Sequence, residues 1–205
     1  MINIKKLKIF FLLLGTVIFM LTIGCSQQRS AIKFNATDIT GVDFGKDFQL
    51  TDHNGKPRVL ADFKGKAVVI FFGYTHCPDV CPTTMSDMAQ ALNLLGKDAA
   101  KVQVLFVTVD PERDTRELLA SYVPAFNPDF LGLYGDEAAT AKVAKEFKIF
   151  YQKHKSSNGQ GYEVDHTAGT YVFDPSGKIR LFISYGQGAE SIAHDLSILL
   201  SNPSA

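Results

Sequence analysis

Two nearly continuous apolar runs constrain the fold more strongly than any other feature of this sequence. Ala67–Phe72 and Val102–Val109 consist mostly of β-branched, aliphatic and aromatic residues, a pattern typical of strands that are buried on both faces. Between them, from Met85 to Leu95, methionines and leucines recur every three or four residues, which places them on one face of a helix. A strand, a helix and a strand in this order predict an α/β fold.

Further elements flank this unit on both sides. Upstream, the apolar segments 48–50 and 59–60 surround Asn54-Gly55, which predicts a β-hairpin. Downstream, Asp114 and Glu117 match a capping box that opens a second helix. The remaining predicted elements are a strand at 130–134, a helix at 136–147, a polar loop at 153–161, a hairpin of 170–173 with 179–184, and a last helix at 190–200. We therefore expect a mixed central sheet with an N-terminal β-hairpin and an inserted loop or hairpin before the final strands.

The N-terminus has the pattern of an export signal. Three lysines precede the uncharged apolar run Ile9–Ile23, which is typical of a secretory signal and shorter than the ~20 residues that span a bilayer comfortably. Cys25 directly follows Gly24, as in a bacterial lipoprotein signal, although Thr22 departs from that pattern. We expect residues 1–24 to be a signal peptide or membrane anchor, 25–42 a linker and 43–205 the domain. Lipidation at Cys25, a retained anchor and plain cleavage all predict an extracytoplasmic (periplasmic) domain.

Charge and cysteine content narrow the functional classes. Lys and Arg number 21, as do Asp and Glu, so the chain has no basic excess of the kind that nucleic-acid binding needs. If Cys25 carries lipid, the domain keeps only Cys77 and Cys81, which are too few for a disulfide scaffold. We interpret these two residues as a reactive or metal-binding pair.

The segment from Gly73 to Pro82 (GYTHCPDVCP) contains both of these cysteines. It follows a predicted buried strand and precedes a helix, so it lies at the sheet edge where α/β proteins bind ligands. The proline after each cysteine predicts a restrained loop rather than a shared helix face. The helix that follows favours the thiolate form, which both binds soft ions such as Cu(I) and attacks disulfides.

A histidine could complete a three-coordinate copper site with the two thiolates. We expect the other histidines to have no such role: His53 and His154 to be solvated in polar loops, His194 to lie on the surface of the last helix, and His76 to diverge from its neighbour Cys77. The remaining candidate is His166, just before the predicted strand 170–173. The alternative is a histidine that only makes a hydrogen bond at the entrance of that strand.

The acidic segment Asp110–Asp114 follows the second apolar run and should reach the same sheet edge. It could support the cysteine site or form a docking surface. The alternative is a strand exit followed by a helix cap, and we prefer the cap for Asp114.

Three segments together resemble one protein family. GYTHCPDVCPTT, VTVDPERDT and VDHTAGTYVFDPSGK occur in this order and are similar to the Sco/SenC family of copper-delivery proteins for cytochrome c oxidase. The resemblance implies a thioredoxin-like fold, copper as Cu(I), Cu(II) or both on Cys77, Cys81 and His166, and delivery to the dinuclear copper centre of the oxidase. The implied partners are the copper-accepting oxidase subunit and an upstream copper donor or thiol reductant. Residues 153–161 would belong to an insertion that leads to the histidine.

A thiol–disulfide oxidoreductase is the competing hypothesis. Cys77 and Cys81 would then be redox-active and would reduce the cysteines of the copper acceptor. Thioredoxin-like exchangers usually carry a cis-proline near the position of Ala168 or Gly169, and its absence here favours metal binding. Peroxide reduction is a weaker alternative, because the cysteines form a paired motif rather than a peroxidase motif.

Overall fold

The computed structural model describes residues 33–156, 159 and 161–201. Ten strands and four helices lie within this part of the chain. The strands are β1 (Thr37–Asp38), β2 (Leu50–Asp52), β3 (Pro57–Arg58), β4 (Ala67–Gly73), β5 (Val102–Thr108), β6 (Leu131–Tyr134), β7 (Tyr151–Lys155), β8 (Tyr162–His166), β9 (Thr170–Phe173) and β10 (Ile179–Ile183). The helices are α1 (Val80–Leu95), α2 (Arg116–Tyr122), α3 (Glu137–Glu146) and α4 (Ala189–Ser201).

Eight of these strands form one mixed sheet in the order β1-β10-β9-β4-β5-β6-β2-β3. The central strands β4, β5 and β6 are parallel, whereas β9 and β10 on one side and β2 and β3 on the other are antiparallel to their neighbours. The predicted α/β fold with a mixed central sheet and an N-terminal β-hairpin is therefore confirmed. The parallel strands β4 and β5 end together, with Gly73 opposite Thr108.

Burial on both faces explains why the two apolar runs become the central strands. Every residue of β4 and β5 is buried. On one face of the sheet, Phe71 of β4 packs against Phe106 of β5. On the other face, Phe72 packs against Phe147, which also contacts Phe173. Each such aromatic pair contributes about 0.5–1.5 kcal/mol beyond the burial of its surface.

Strands β7 and β8 form a separate antiparallel hairpin, in which Tyr151 pairs with His166 and Lys155 pairs with Tyr162. The prediction of a polar loop is therefore wrong for residues 153–155, which complete β7. Alternate residues of this hairpin face opposite sides. Tyr162, Val164 and His166 point to the body of the protein. The side chains on the other face of the hairpin are polar and solvated, which is compatible with a strand.

Two predicted helix starts differ from the structure. Helix α1 begins at Val80, so Cys81 lies in its first turn rather than on the preceding loop. Helix α2 is capped by Thr115, whose side chain accepts a hydrogen bond from the Leu118 amide. The prediction that Asp114 caps this helix is wrong, because the buried Asp114 carboxylate instead accepts hydrogen bonds from other segments.

The packed structure extends N-terminal to residue 43, into the segment predicted as a linker. Strand β1 pairs with β10 at the sheet edge. The backbone amides of Asn35 and Ala36 donate hydrogen bonds to the buried carboxylate of Asp195 in α4. The predicted signal or anchor and Cys25 lie outside the described residues. In residues 33–156, 159 and 161–201, no helix combines the length and apolarity needed to cross a bilayer.

Candidate functional site

The structure brings Cys77, Cys81 and His166 together at the carboxyl end of β4. Cys77 lies on the loop before α1 and is partly exposed, whereas Cys81 is fully buried in the first turn of α1, and both are free thiols. The Cys81 amide donates a hydrogen bond to the Cys77 sulfur at 3.4 Å. The Nε2 atom of His166, at the end of β8, lies 3.6 Å from the Cys81 sulfur. A side chain 85 residues away in sequence thus completes a compact group of two sulfurs and one imidazole.

The backbone fixes which nitrogen of His166 faces the sulfurs. Its Nδ1 lies 3.1 Å from the carbonyl oxygen of Thr167, and a carbonyl oxygen only accepts hydrogen bonds. Nδ1 therefore carries a proton in this geometry, and Nε2 is the nitrogen that can present a lone pair. Histidines that bind metals usually donate their other ring N–H in this way. The ring is also held edge-to-face against Tyr74, with centroids 5.9 Å apart.

The two thiols have opposite electrostatic environments. A hydrogen bond from the Cys81 thiol lowers the pKa of Cys77 far below its usual range, and hydrogen bonds from the Cys81 and Asp79 amides lower it further. The same hydrogen bond, together with burial and the negative charge of Cys77, raises the pKa of Cys81. At neutral pH the site therefore holds an accessible Cys77 thiolate beside a buried Cys81 thiol. A thiolate of this kind binds soft metals and attacks disulfides.

Asp114 anchors the loop that carries Cys77. Its carboxylate accepts hydrogen bonds from the Thr75 amide at 3.0 Å, from the Thr75 hydroxyl at 2.5 Å and from the Thr108 hydroxyl at 2.6 Å. It thereby joins the loop after β4 to the end of β5. His76 also turns toward this carboxylate, with its Nδ1 3.8 Å from Oδ1, so it points away from the sulfurs as expected.

Gly73 has a role at the site that the sequence analysis missed. A Cβ atom at this position would lie 2.9 Å from the Cys81 sulfur and 3.0 Å from the Phe106 ring. Only a residue without a side chain therefore lets Cys81 pack against the end of β4. A glycine that ends an apolar run directly before the cysteine motif was the available signal.

Three further histidines make contacts that do not involve the cysteines. The prediction that His53 is solvated is wrong: the ring is buried, and its Nδ1 accepts a hydrogen bond from the Gly132 amide. His154 lies in β7 rather than in a flexible loop, half-exposed and 3.1 Å from Asp165. His194 is half-exposed on α4, as predicted. None of these three contributes to the group around Cys81.

The group of Cys77, Cys81 and His166 is a set of neighbours rather than a finished coordination sphere. Within residues 33–156, 159 and 161–201, no three or more His, Cys, Asp and Glu side chains are arranged as a complete metal-binding group. An ion held by all three residues would require an adjustment of their side chains.

A family model described as SCO1/SenC matches residues 36–201, which include all of the site described above. The chain belongs to the SCO1/SenC family. The resemblance inferred from the three sequence segments is thereby confirmed. The match begins at Ala36, where the amides held by Asp195 start the packed structure.

Individual relatives agree with this assignment. The chain is 40% identical over 171 residues to the mitochondrial SCO2 homologue of Bos taurus, with 82% of this chain and 62% of that protein aligned. The chain thus spans less than two thirds of the length of this curated relative. Among solved structures, it is similar to Bradyrhizobium japonicum ScoI with copper bound, at 43% identity and a TM-score of 0.70, covering 77% of this chain and 99% of that one. It is also similar to apo Sco1 from Thermus thermophilus, at 40% identity and a TM-score of 0.73, covering 83% and 99%.

Proposed function

We propose that this SCO1/SenC protein binds copper through Cys77, Cys81 and His166 and delivers it to the dinuclear copper centre of cytochrome c oxidase. The observation that carries the proposal is the position of His166, whose Nε2 lies 3.6 Å from the Cys81 sulfur. Copper is the cargo in this function, and no turnover is required. The copper-bound state of the Bradyrhizobium relative supports the choice of metal.

The donor atoms suit a soft first-row ion. Two thiolates and an imidazole are ligands that Cu(I) accepts. A sulfur at ~2.3 Å and a nitrogen at ~2.0 Å from one ion lie roughly 3.3–3.7 Å apart at bond angles of roughly 100–120°. The observed separation of His166 and Cys81 falls within this range, so little movement of these two side chains would be needed.

Proton release accompanies binding at this site. Cys81 must give up its proton before its sulfur can bind the ion, and its burial and the Cys77 charge oppose this step. A positively charged ion between the sulfurs would lower the pKa of Cys81, because it stabilises both thiolates. Apparent copper affinity should therefore rise with pH until Cys81 no longer carries a proton in the free protein.

Anaerobic copper loading of the reduced protein tests the proposal. We expect one copper ion per chain, with X-ray absorption that requires two sulfur ligands and one nitrogen ligand. In His166→Ala the nitrogen ligand should disappear and the affinity should fall, whereas His154→Ala, on the outer face of the hairpin, should match the wild type. Unchanged affinity and an unchanged nitrogen ligand in His166→Ala would contradict the proposed site.

The opposed pKa shifts of Cys77 and Cys81 favour thiol–disulfide exchange as a second candidate function. The Cys77 thiolate would attack an acceptor disulfide and form a mixed disulfide, releasing one acceptor thiolate. Deprotonated Cys81 would then attack the Cys77 sulfur, which forms the Cys77–Cys81 disulfide and releases the second acceptor thiolate. Two electrons pass from the protein to the acceptor. The copper acceptor of the oxidase is the proposed substrate.

A trapping experiment separates this second function from copper delivery. With an acceptor peptide that contains a disulfide, Cys81→Ser should accumulate the mixed disulfide at Cys77, because the second attack is removed. Cys77→Ser should accumulate none. Failure of the wild-type protein to reduce the peptide would exclude the exchange function and leave copper binding untouched.

The proposed location is the extracytoplasmic side of a membrane, with lipid on Cys25. The support is the sequence of residues 1–25 alone. Mass spectrometry of the protein from isolated membranes should detect a lipid-modified Cys25 at the mature N-terminus. Cys25→Ser should shift the protein to an unlipidated form, and an intact N-terminus in the wild type would indicate a retained anchor instead.

A further inference from the structure

A buried ion pair lies beside the hairpin that carries His166. Asp110, at the end of β5, is fully buried, and its Oδ2 accepts a hydrogen bond from Nε of Arg113 at 2.5 Å. The other oxygen, Oδ1, accepts a hydrogen bond from the hydroxyl of Tyr162 at 2.7 Å. Both lone-pair directions of this carboxylate are therefore used, one within its own loop and one across to β8. Breaking a buried pair of this kind leaves an uncompensated charge.

Arg113 holds Tyr162 in two further ways. Its guanidinium carbon lies 3.7 Å from the centre of the Tyr162 ring, which is close stacking. Its Nη1 donates a hydrogen bond to the Tyr162 carbonyl oxygen at 2.8 Å. The hydroxyl, the ring and the backbone of a single residue are thus bound by one ion pair. We call Asp110, Arg113 and Tyr162 the hairpin latch.

The latch and the imidazole occupy the same face of the same strand. Tyr162, Val164 and His166 alternate along β8, and all three point to the body of the protein. Val164 is buried between the other two. Four residues of strand separate the latch from the imidazole by roughly 13 Å. Because a strand is stiff over this length, fixing one end of β8 fixes the other.

We propose that the hairpin latch positions His166 beside Cys81, so that Asp110, Arg113 and Tyr162 set the copper affinity of the site without contacting the ion. The predicted effect on copper affinity rests on the proposed function, whereas the predicted effect on the position of His166 does not. The latch acts through Tyr162, which is the only one of the three on the hairpin itself. Without it, β8 would keep its pairing with β7 and the burial of Val164 but lose its contacts with Asp110 and Arg113.

The other side-chain contacts of the hairpin differ in whether they reach the latch. Lys153 touches the latch itself, because its ammonium group lies 4.8 Å from the centre of the Tyr162 ring and 3.9 Å from Oδ1 of Asp110. Its ion pair with Glu112 is exposed, and surface pairs of this kind contribute little. His154 and Asp165 interact on the opposite face, away from Cys81. The contact between His154 and Asp165 therefore provides a matched control on the same hairpin.

Two substitutions test the latch in graded steps. Tyr162→Phe removes the hydroxyl and keeps the ring on Arg113, and Tyr162→Leu removes the aromatic stack as well. We expect copper affinity to fall about tenfold in Tyr162→Phe and further in Tyr162→Leu, as is typical when a residue that orients a metal ligand is lost. His154→Gln should retain wild-type affinity. Thermal unfolding of each apo variant verifies that it is folded.

A double-mutant cycle distinguishes positioning from general destabilisation. In a His166→Ala background, Tyr162→Phe should have no further effect on copper affinity, because the latch has no imidazole left to place. An equal loss with and without His166 would overturn the proposal, as would wild-type affinity in Tyr162→Leu.

A copper-free measurement keeps this test independent of the proposed function. In the reduced apo protein, NMR should detect contacts between the His166 ring protons and the Cys81 side chain in the wild type and in His154→Gln, and weaker or no contacts in Tyr162→Leu. If the wild type bound no copper, the proposed function would fail and these contacts would still decide the latch. Full contacts in Tyr162→Leu would refute it.

Discussion

Gly73 and Cys81 are packed so closely that a single added carbon at position 73 would stand 2.9 Å from the Cys81 sulfur. Gly73→Ala should therefore displace the sulfur or the end of β4. Overpacking of this kind costs about 1–3 kcal/mol of unfolding free energy. We expect lower copper affinity in addition to lower stability, measured by chemical denaturation and metal titration.

Gly132→Ala is the matched control for that substitution. Its Cβ would lie 3.0 Å from Val123, so it overpacks the same sheet away from the cysteines. We expect comparable destabilisation with unchanged copper affinity. If Gly73→Ala retained full affinity, the close approach of Gly73 to Cys81 would have no functional consequence.

The Cys77 thiolate should persist at acidic pH. An ordinary cysteine loses its proton near pH 8.5, and the hydrogen bond from Cys81 is the largest cause that lowers the pKa of Cys77. In the reduced protein, alkylation of Cys77 by iodoacetamide should still follow a thiolate-like rate well below pH 7, while Cys81 stays unreactive. Mass spectrometry of quenched samples gives both rates.

Substitutions at Cys81 identify the cause of that reactivity. Cys81→Ala removes the donor and should move the alkylation profile of Cys77 to higher pH. Cys81→Ser keeps a hydroxyl donor and should restore most of the shift. A wild-type profile centred near pH 8.5 would show that this hydrogen bond does not control Cys77.

Loss of the Asp114 carboxylate should loosen the loop that carries Cys77. Asp114→Ala leaves the Thr75 amide and the Thr108 hydroxyl without their acceptor, which costs about 1–3 kcal/mol of unfolding free energy. Amide hydrogen exchange at Thr75 should rise in this variant. Asp136→Ala, which removes the exposed cap of α3, should destabilise the protein without changing exchange at Thr75.

Asp114 also gives a pH dependence of defined sign. Burial raises its pKa in the folded protein above the usual value, so at pH values between the unfolded and the folded pKa the folded state holds a proton that the unfolded state has released. Its contribution to stability is therefore complete below the unfolded pKa of about 3.9 and declines as pH rises through the folded pKa. Asp114→Asn should remove this decline, as measured by denaturation at a series of pH values. An identical pH profile in both proteins would exclude it.

Local sequence patterns were sufficient for the helices and for the central strands of the sheet. The runs that became β4 and β5 are apolar throughout because both faces of each strand are buried, and that signal needs no knowledge of the partner strands. The N-cap residue of α2 was harder to predict from the sequence, because Asp114 and Thr115 are adjacent and both residue types commonly begin a helix. The long-range hydrogen bonds of Asp114 decided between them. Strands β1, β7 and β8 were missed, and in β7 the exposed lysines resemble a loop.

The candidate site was predictable only where its residues carry their own chemistry. Cys77, Cys81 and His166 stand out by residue type, and their ligation of copper stays a prediction. Gly73 offered a local signal, because it ends an apolar run directly before the cysteine motif. Tyr162 does not stand out, because its contacts are with residues distant in sequence. The hydroxyl of Tyr162 donates a hydrogen bond to Asp110, 52 residues away, and a local sequence pattern cannot predict a contact at that separation.

The buried carboxylate of Asp195 should determine where the packed domain begins. It accepts hydrogen bonds from the Asn35 amide at 2.9 Å and from the Ala36 amide at 2.7 Å, directly before β1. Bonds to a charged acceptor contribute about 1.5–3 kcal/mol each, so Asp195→Ala should abolish the exchange protection of both amides and weaken the pairing of β1 with β10. Ser197→Ala, which removes only an exposed hydroxyl from the same helix, should leave that protection intact. Because the chain N-terminal to Asn35 is the segment predicted to connect the domain to a membrane, loss of this contact would lengthen the connection. Persistent protection in Asp195→Ala would mean that other contacts, such as the packing of Phe34 and the pairing of β1, hold the segment.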